Sequence, residues 1–551
     1  MSPSERWRGE RWVLVALTAL ALGLRVTNLS RSLFTDEAYS LALAQRSFGH
    51  MLVLFGYEAN GTPYPIALWP LIRIFGTGPA LLRAPAVLAG TLSVPALWWA
   101  AQRYVSRPAA LLAAGLLAIN PMAIWYSAMA RQYAFVVLAA CLAFGALPRA
   151  LAFGAPRGAF DGRMNRRGDG RTGRGVNDRT GRVVDDRGAR YAWIGYVAAM
   201  VALAYSDLLA APIALPAQAL IAYRFGPAGR RSWLRSLVAV AVCCVPLLVA
   251  AVIARSRRNA LYWLPKTDRS LVTLALQEFT GGFSELSAVR WATLAAGAVL
   301  VGGALWSMRR AAETERQRTL ALAACWGIAP GALLLAVSFV QPVFWPRYAI
   351  LALPGLCLLV AVAAERLWSQ RGGWVLVGGC VVILAIAGVV ADAKQRTHLQ
   401  ENWQPAAAWL RAARTVNQPV IVDNALVLPS LGYYDPAFRA ANGDLIVQEW
   451  QDLPLPRGFV GFKDRTGYGS VPDGPPSVAT FEKLARRGGG TVWMVASEVD
   501  DDLQSDPREG AAVAWAHAHC HLQVREGVGV WVMRASACVA PSLPGAPNPL
   551  R

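Results

Sequence analysis

Two adjacent carboxylates, Asp36 and Glu37, follow the first apolar stretch (residues 12–30) in the run Arg31-Ser-Leu-Phe-Thr-Asp-Glu-Ala-Tyr39. An acidic pair at a membrane–water boundary is costly to desolvate, so its presence there calls for a reason. One reading is a solvated loop or a helix N-cap, with Thr35 or Asp36 accepting from the next backbone amides. The other is chemical: a carboxylate beside a hydroxyl acts as a general base. Positive residues recur at comparable boundaries. Arg131 and Tyr133 close Tyr126-Ser-Ala-Met-Ala-Arg-Gln-Tyr133, Arg347-Tyr348 precedes a late apolar stretch, and Arg255, Arg257, Arg258 and Lys266 crowd one loop. Asp207 sits in a tight turn between two apolar runs. Carboxylates and arginines gathered on one face of one boundary suit an anionic head group carried by a lipid. Arg347 also has a bland reading, as a boundary residue whose head group snorkels to water.

The elements that must position these residues are apolar. The 551-residue chain is 55% hydrophobic and 16% charged, with a mean hydropathy of +0.35. Soluble chains carry about a quarter charged residues, and the apolar runs here approach the roughly 20 residues that span a bilayer core. We read eleven spans, at 12–30, 81–101, 108–125, 132–151, 191–205, 208–223, 236–254, 290–307, 319–340, 348–365 and 374–391. Trp12–Val26 lacks a small-residue cleavage site after it and reads as a retained anchor. Pro63–Phe75 is short and proline-rich, and is expected to lie on the membrane surface. With the N-terminus inside, the inner loops hold 25 arginines and the short outer loops 10 arginines and lysines. That bias supports the assignment and places residues 392–551 outside the cytoplasm. The expectation is a mainly α, polytopic plasma-membrane protein with a transmembrane domain over 1–391. A first outer loop covers 31–80, and a small extracytoplasmic α/β domain covers 392–551.

The net charge of +20 does not mark a nucleic-acid binder, because the excess lies in short inner loops. Loop 152–190 is rich in Gly, Arg and Asp with almost no apolar residues, and is expected to be disordered. Its interspersed aspartates and near-absence of aromatics argue against RNA binding. In the tail, Trp403–Arg414 and Phe481–Arg487 read as helices, Val420–Val422 and Thr491–Ala496 as strands, and His521–Val524 with Val528–Arg534 as a hairpin. The proline-rich stretch 452–476 reads as loop. Six cysteines lie in apolar stretches. Cys520 and Cys538 lie in the polar tail, where an oxidising compartment would let them pair. His517, His519 and His521 would share one face of a strand and permit metal binding, although no separate ligand cluster accompanies them.

The order of motifs carries a resemblance. After the acidic pair come Thr62-Pro-Tyr-Pro65, then Leu82-Arg-Ala-Pro-Ala-Val-Leu-Ala-Gly90. Asn120-Pro-Met-Ala-Ile-Trp-Tyr-Ser127, Ala130-Arg-Gln-Tyr-Ala134 and Phe344-Trp-Pro-Arg-Tyr-Ala349 follow, then Glu401-Asn-Trp-Gln-Pro-Ala-Ala-Ala-Trp-Leu410 with Gly432-Tyr-Tyr434. Over most of residues 12–440 this resembles the bacterial GT-C glycosyltransferases, the group related to protein O-mannosyltransferases and aminoarabinose lipid A transferases. The resemblance implies transfer of a sugar, by family association mannose, from a polyprenyl-phosphate carrier to an acceptor hydroxyl on the outer face, with inversion. The acceptor would be a protein, a glycolipid or a polysaccharide. Asp36 matches the catalytic carboxylate, with Glu37 orienting it or contacting the acceptor. Arg131, Arg347, Tyr348, Arg255, Arg258 and Lys266 would hold the donor phosphate, and Glu58, Tyr64, Tyr133 and Asp207 would line the site. The chain departs from the pattern at Met129, Thr62 and Asp207, which puts a divalent metal in doubt; Asp36 and Glu58 are its candidate ligands. A flippase of lipid-linked sugars and a non-catalytic scaffold are the rival classes. A transporter predicts mid-span charges and internal repeats, neither of which stands out.

Overall fold

The computed structural model describes residues 3–27, 29–54, 63–152, 186–225, 229–257, 267–281, 287–310, 321, 323–368, 373–397, 401–415, 418–422, 427–435, 459–461, 478–497, 511–527 and 529–538. The chain is mostly helical up to residue 397. α1 (Pro3–Val26) leads into α2 (Thr35–Ala44), α3 (Phe48–Leu54) and α4 (Pro63–Phe75). Then come α5 (Pro79–Ala101), α6 (Arg107–Ile119), α7 (Pro121–Ser127) and α8 (Tyr133–Ala152). Among the described residues, each of the eleven apolar stretches includes helix. Among the described residues, three helical segments are long and apolar enough to cross a membrane, Pro79–Ala101, Tyr133–Ala152 and Pro346–Glu365. The number becomes five if two bent pairs each count as one span. The disorder expected of loop 152–190 falls largely on residues 153–185, outside the described ones; its end, from Asp186, begins a helix. α4, at 13 residues, is too short for a bilayer core of about 30 Å. It packs beside α2 and α5, and Arg73 near its end donates to the carbonyls of Ala44 and Arg46, closing the C-terminus of α2.

Two local devices shape the packing of the helices. Pro121 has no N–H for the carbonyl of Leu117, and it drives Asn120 into an extended conformation (φ −64°, ψ 127°). α6 and α7 therefore meet at 58°, with the Asn120 side chain capping α7 through Ala123 N (3.0 Å). The carbonyls of Leu117 and Ala118 accept instead from the buried guanidinium of Arg25 (3.4 and 3.1 Å). The second device is a glycine crossing. A Cβ on Gly327 would stand 2.7 Å from Leu356 N, and one on Gly355 would strike the backbone of Trp326 and Gly327. Small residues let such backbones touch, as membrane helices require. Gly355→Ala is expected to destabilise by about 1–3 kcal/mol through overpacking, read as a lower melting temperature in detergent. An unchanged melting temperature would show that this crossing tolerates separation.

Beyond residue 401 the chain builds a five-stranded mixed sheet. β1 (Val420–Val422), β2 (Phe459–Gly461), β3 (Val492–Ser497), β4 (His521–Gly527) and β5 (Val530–Ser536) lie in the order β2-β1-β3-β5-β4. β1 runs parallel to β2 and β3, and β5 antiparallel to β3 and β4. The alternation of β3 sorts its side chains. Trp493 and Val495 meet Trp403, Trp409 and Leu410 of the helix Trp403–Ala413, whereas Val492 and Met494 meet Phe481 and Trp515 on the other face. The terminal hairpin forms, but Glu526 and Gly527 are paired within β4 (with Trp531 and Val530), so the turn lies after Gly527 rather than around Glu526-Gly527; Cys520 and Cys538 are disulfide-bonded. Two further expectations are corrected. The stretch 452–476 contains strand β2, held by parallel pairing with β1 rather than by its own alternation. His517 and His519 lie on the helix Ala511–His519, so the three histidines do not share a strand face. His519 stacks on Trp515 (4.7 Å) instead.

Candidate active site

The acidic pair is divided by the start of α2. Consecutive residues on a helix point about 100° apart, so one carboxylate enters the core while the other faces outward. Glu37 is fully buried and meets Arg83 of α5 in a two-point ion pair (Nε–Oε1 2.8 Å, Nη2–Oε2 2.6 Å). It also accepts from the amides of Phe34 (3.0 Å) and Ala130 (2.7 Å). Burial pushes its pKa up, but the charge and hydrogen bonds of Arg83 outweigh this and hold it at about 2. Arg83 in turn donates to the carbonyls of Leu29, Arg31 and Ser32 (2.8–3.0 Å). The N-cap residue is Phe34, with Glu37 as the carboxylate that reaches back to it. Neither Thr35 nor Asp36 is the cap.

Asp36 is thereby free of capping, and its side chain keeps 26% of its exposure. Because Glu37 pins the amide of Ala130, the next residue, Arg131, is carried to Asp36 (Nε–Oδ2 3.8 Å). Arg347 enters from the 3-10 segment Pro346–Ala352. Its guanidinium stands 5.8 Å from the Tyr133 ring and 5.7 Å from the Tyr348 ring, within electrostatic reach of Asp36. Tyr126 and Tyr133 pack edge to face at 4.8 Å beneath it. Asp207 is buried in its turn and accepts from Leu209 N (2.9 Å). Burial raises its pKa to about 6, and it lies within electrostatic reach of Tyr348. The structure thus brings together Asp36, Arg131, Arg347, Tyr133 and Tyr348, with Asp207 behind them.

Other expected members fare differently. Tyr64 is fully enclosed; its hydroxyl donates to Leu82 O (2.6 Å) and its ring packs on Phe135 (5.5 Å), so it braces α5 and does not line the site. Glu37 has no open face toward an acceptor, because burial and Arg83 occupy it. Arg255 lies near the end of the helix Val245–Arg257, with its side chain outside the described set. Glu58, Arg258 and Lys266 lie outside the described residues. Among the described residues no three His, Cys, Asp or Glu side chains converge as a metal would require; Asp36 meets the guanidinium of Arg131 (3.8 Å), with the buried Glu401 within electrostatic reach.

The geometry adds residues that the sequence reading missed. Arg83 was visible as a lone charge within an apolar run, a signal for a buried partner. Arg31 donates to Ala128 O (3.0 Å) and lies over the Trp125 ring (5.2 Å). From the C-terminal part, Tyr434 accepts from Leu33 N (2.8 Å) and bonds Ser32 Oγ (2.9 Å). Glu401 accepts from Thr35 N (2.9 Å), from Thr35 Oγ1 and from Trp403 Nε1 (2.6 Å).

Comparison with solved structures identifies the architecture. The chain superposes on ArnT from Cupriavidus metallidurans in the apo state with a TM-score of 0.56 at 15% identity, covering 97% of this chain and 99% of that one. The chain shares the fold of that structure. The same ArnT bound to undecaprenyl phosphate aligns with a TM-score of 0.55 at 15% identity, over 95% and 98% of the two chains. The oligosaccharyltransferase of Archaeoglobus fulgidus aligns at 13% identity with a TM-score of 0.48, over 89% of this chain and 69% of that one. Residues 63–159 match the family model described as dolichyl-phosphate-mannose-protein mannosyltransferase. That range runs from α4 through α8, so it includes Arg83 and Arg131 and does not reach Asp36. No curated protein sequence matches the chain.

Proposed function

We propose that this protein is a membrane glycosyltransferase that moves a sugar, mannose or a related one, from a polyprenyl-phosphate donor to an acceptor hydroxyl on the outer face, with inversion. The observation that carries this reading is the convergence of a part-exposed carboxylate, Asp36, with Arg131 and Arg347 at one end of the apolar helices. Asp36 removes the acceptor's hydroxyl proton while the oxygen attacks the anomeric carbon. The bond from that carbon to the phosphate oxygen breaks, and polyprenyl phosphate leaves with the electron pair. Phosphate is already a good leaving group, so the requirement is charge stabilisation, which the two guanidinium groups supply. Glu37 acts through position: its pair with Arg83 fixes the turn that aims Asp36. In this reading the chain crosses the plasma membrane eleven times. The N-terminus is cytoplasmic, and the domain over 392–551 lies outside together with the site. The acceptor is a protein hydroxyl, a glycolipid or a polysaccharide.

Donor recognition is tested with undecaprenyl phosphate as the probe and the full chain in detergent. Arg347→Gln removes a charge-assisted contact and is expected to weaken binding about tenfold or more. Binding of undecaprenyl phosphate that is undiminished in both Arg347→Gln and Arg131→Gln would refute the phosphate assignment.

A further inference from the structure

The turn that carries Asp36 is held from two sides. On the membrane side stands the Glu37–Arg83 pair; on the other stand three residues from the start of the C-terminal part, Glu401, Trp403 and Tyr434. Of these only Glu401 grips α2 itself. Its Oε2 takes both the amide and the hydroxyl of Thr35, the residue before Asp36, and also the indole N–H of Trp403. Trp403 is completely buried, clustered with Trp409 and Leu410 of its own helix and Trp493 of the sheet. The carboxyl group of Glu401, a residue 4% exposed, therefore joins the core of the C-terminal domain to the first turn of α2. We propose that Glu401 is a positioning residue for Asp36 and a proton-linked clamp, docking the C-terminal domain onto the catalytic turn more tightly when it is protonated. This rests on the reading of Asp36 as the general base.

The sign follows from the surroundings. Burial is the largest influence on Glu401, and with the nearby charge of Asp36 it outweighs the hydrogen bonds from Thr35 and Trp403, raising the pKa to about 7. Released from the clamp, the carboxyl returns toward the ordinary value of about 4.3. The docked state therefore holds the extra proton between about pH 4.5 and 7, and docking weakens as pH rises through that window. Among the described residues, Asp36 is the charged group acting on it directly; the Arg131–Asp36 contact and the Glu37–Arg83 pair lie at the same first turn of α2, Arg31 lies in the loop before it, and the Tyr434 hydroxyl bonds Ser32 and Leu33 of that loop. Glu37, at about 2, and Arg31, at about 10, do not titrate in the window. Asp207, at about 6, does, but it sits in another turn beside Tyr348.

The test is hydrogen–deuterium exchange of the full chain in detergent between pH 5 and 8, corrected for the intrinsic pH dependence of exchange and followed on peptides covering residues 33–40. Wild-type protection there is expected to fall about tenfold or more from pH 5 to 7.5, a one-unit pKa difference being a factor of ten. Glu401→Gln keeps the acceptor oxygen without the titration, so its protection should stay flat over that range. Glu401→Ala should lower protection about tenfold at every pH, and Asp207→Asn should leave the wild-type profile in place. A pH profile in Glu401→Gln identical to wild type, or one abolished by Asp207→Asn, would overturn the clamp. Exchange reads docking without any sugar transfer, so the clamp can fail while Asp36 stands. Conversely, Asp36→Asn with full transfer would overturn the base without touching the exchange result.

Discussion

Asp36→Asn is expected to lower sugar transfer by about 10²–10⁴-fold, the usual contribution of a positioned general base, while leaving the protein folded and inserted. The second half of that expectation is as much a structural result as the first. Asp36 takes no part in capping α2, which Phe34 and Glu37 accomplish, and it meets Arg131 at 3.8 Å. Asparagine keeps the volume and removes only the charge and the basic oxygen. Binding of undecaprenyl phosphate should persist and even strengthen, because Arg131 and Arg347 lose a competing anion. Transfer from a mannosyl undecaprenyl phosphate donor to acceptors in native membranes, measured beside probe binding, separates the two effects. Retained binding with lost transfer supports the base. Wild-type transfer in Asp36→Asn removes Asp36 from the chemistry, and lost binding would mean that the residue organises the phosphate site instead.

Much of this site was legible before any coordinates, and the limits of that legibility have physical causes. The apolar periods locate helices, and the bias of arginines toward alternate loops gives the expectation that Asp36, Arg131 and Arg347 share one side of the membrane. Adjacency alone, however, gives Asp36 and Glu37 equal standing. Only the helical start at Thr35 assigns one to solvent and the other to Arg83. Arg83 announced itself as a charge in an apolar run, but a lone charge does not name its partner 46 residues away. Glu401 meets Thr35 across 366 residues, a separation no local pattern encodes. Tyr64 entered the expected site through the Thr62-Pro-Tyr-Pro65 motif of the resemblance, yet α4 turns it against α5 and Phe135. β2 escaped for a related reason. Three residues paired in parallel with β1 borrow their order from a neighbour and show little of it themselves.

The largest loss of stability is expected on breaking the Glu37–Arg83 pair one side at a time. Glu37→Gln and Arg83→Met should each destabilise by about 3–5 kcal/mol, because either leaves a buried group without its counter-charge. The pair is enclosed on both sides, so solvent does not screen it. It is also more than a pair: Glu37 holds the amides of Phe34 and Ala130, and Arg83 holds three carbonyls of the 29–32 segment. A joint replacement, Glu37→Gln with Arg83→Met, should therefore recover only part of the loss, since removing both charges relieves the electrostatic penalty and leaves the three carbonyls without donors. Melting temperatures of the two single variants and the double variant measure the coupling directly; a coupling near zero would mean that the charges do not depend on each other. The pH dependence supplies an independent check. The folded pKa of Glu37, about 2, lies below the ordinary carboxylate value, so its stabilisation is present above about pH 4.5 and is lost as pH falls toward 2. Wild type and Glu37→Gln should thus differ by a constant amount from pH 5 to 8 and converge only in strong acid. Through the same range the contribution of Glu401 changes in the opposite sense, weakening as pH rises toward 7. The two buried carboxyls that hold the Asp36 turn are therefore distinguishable by pH alone, one as a permanent charge and the other as a group that gains and loses its proton near neutrality.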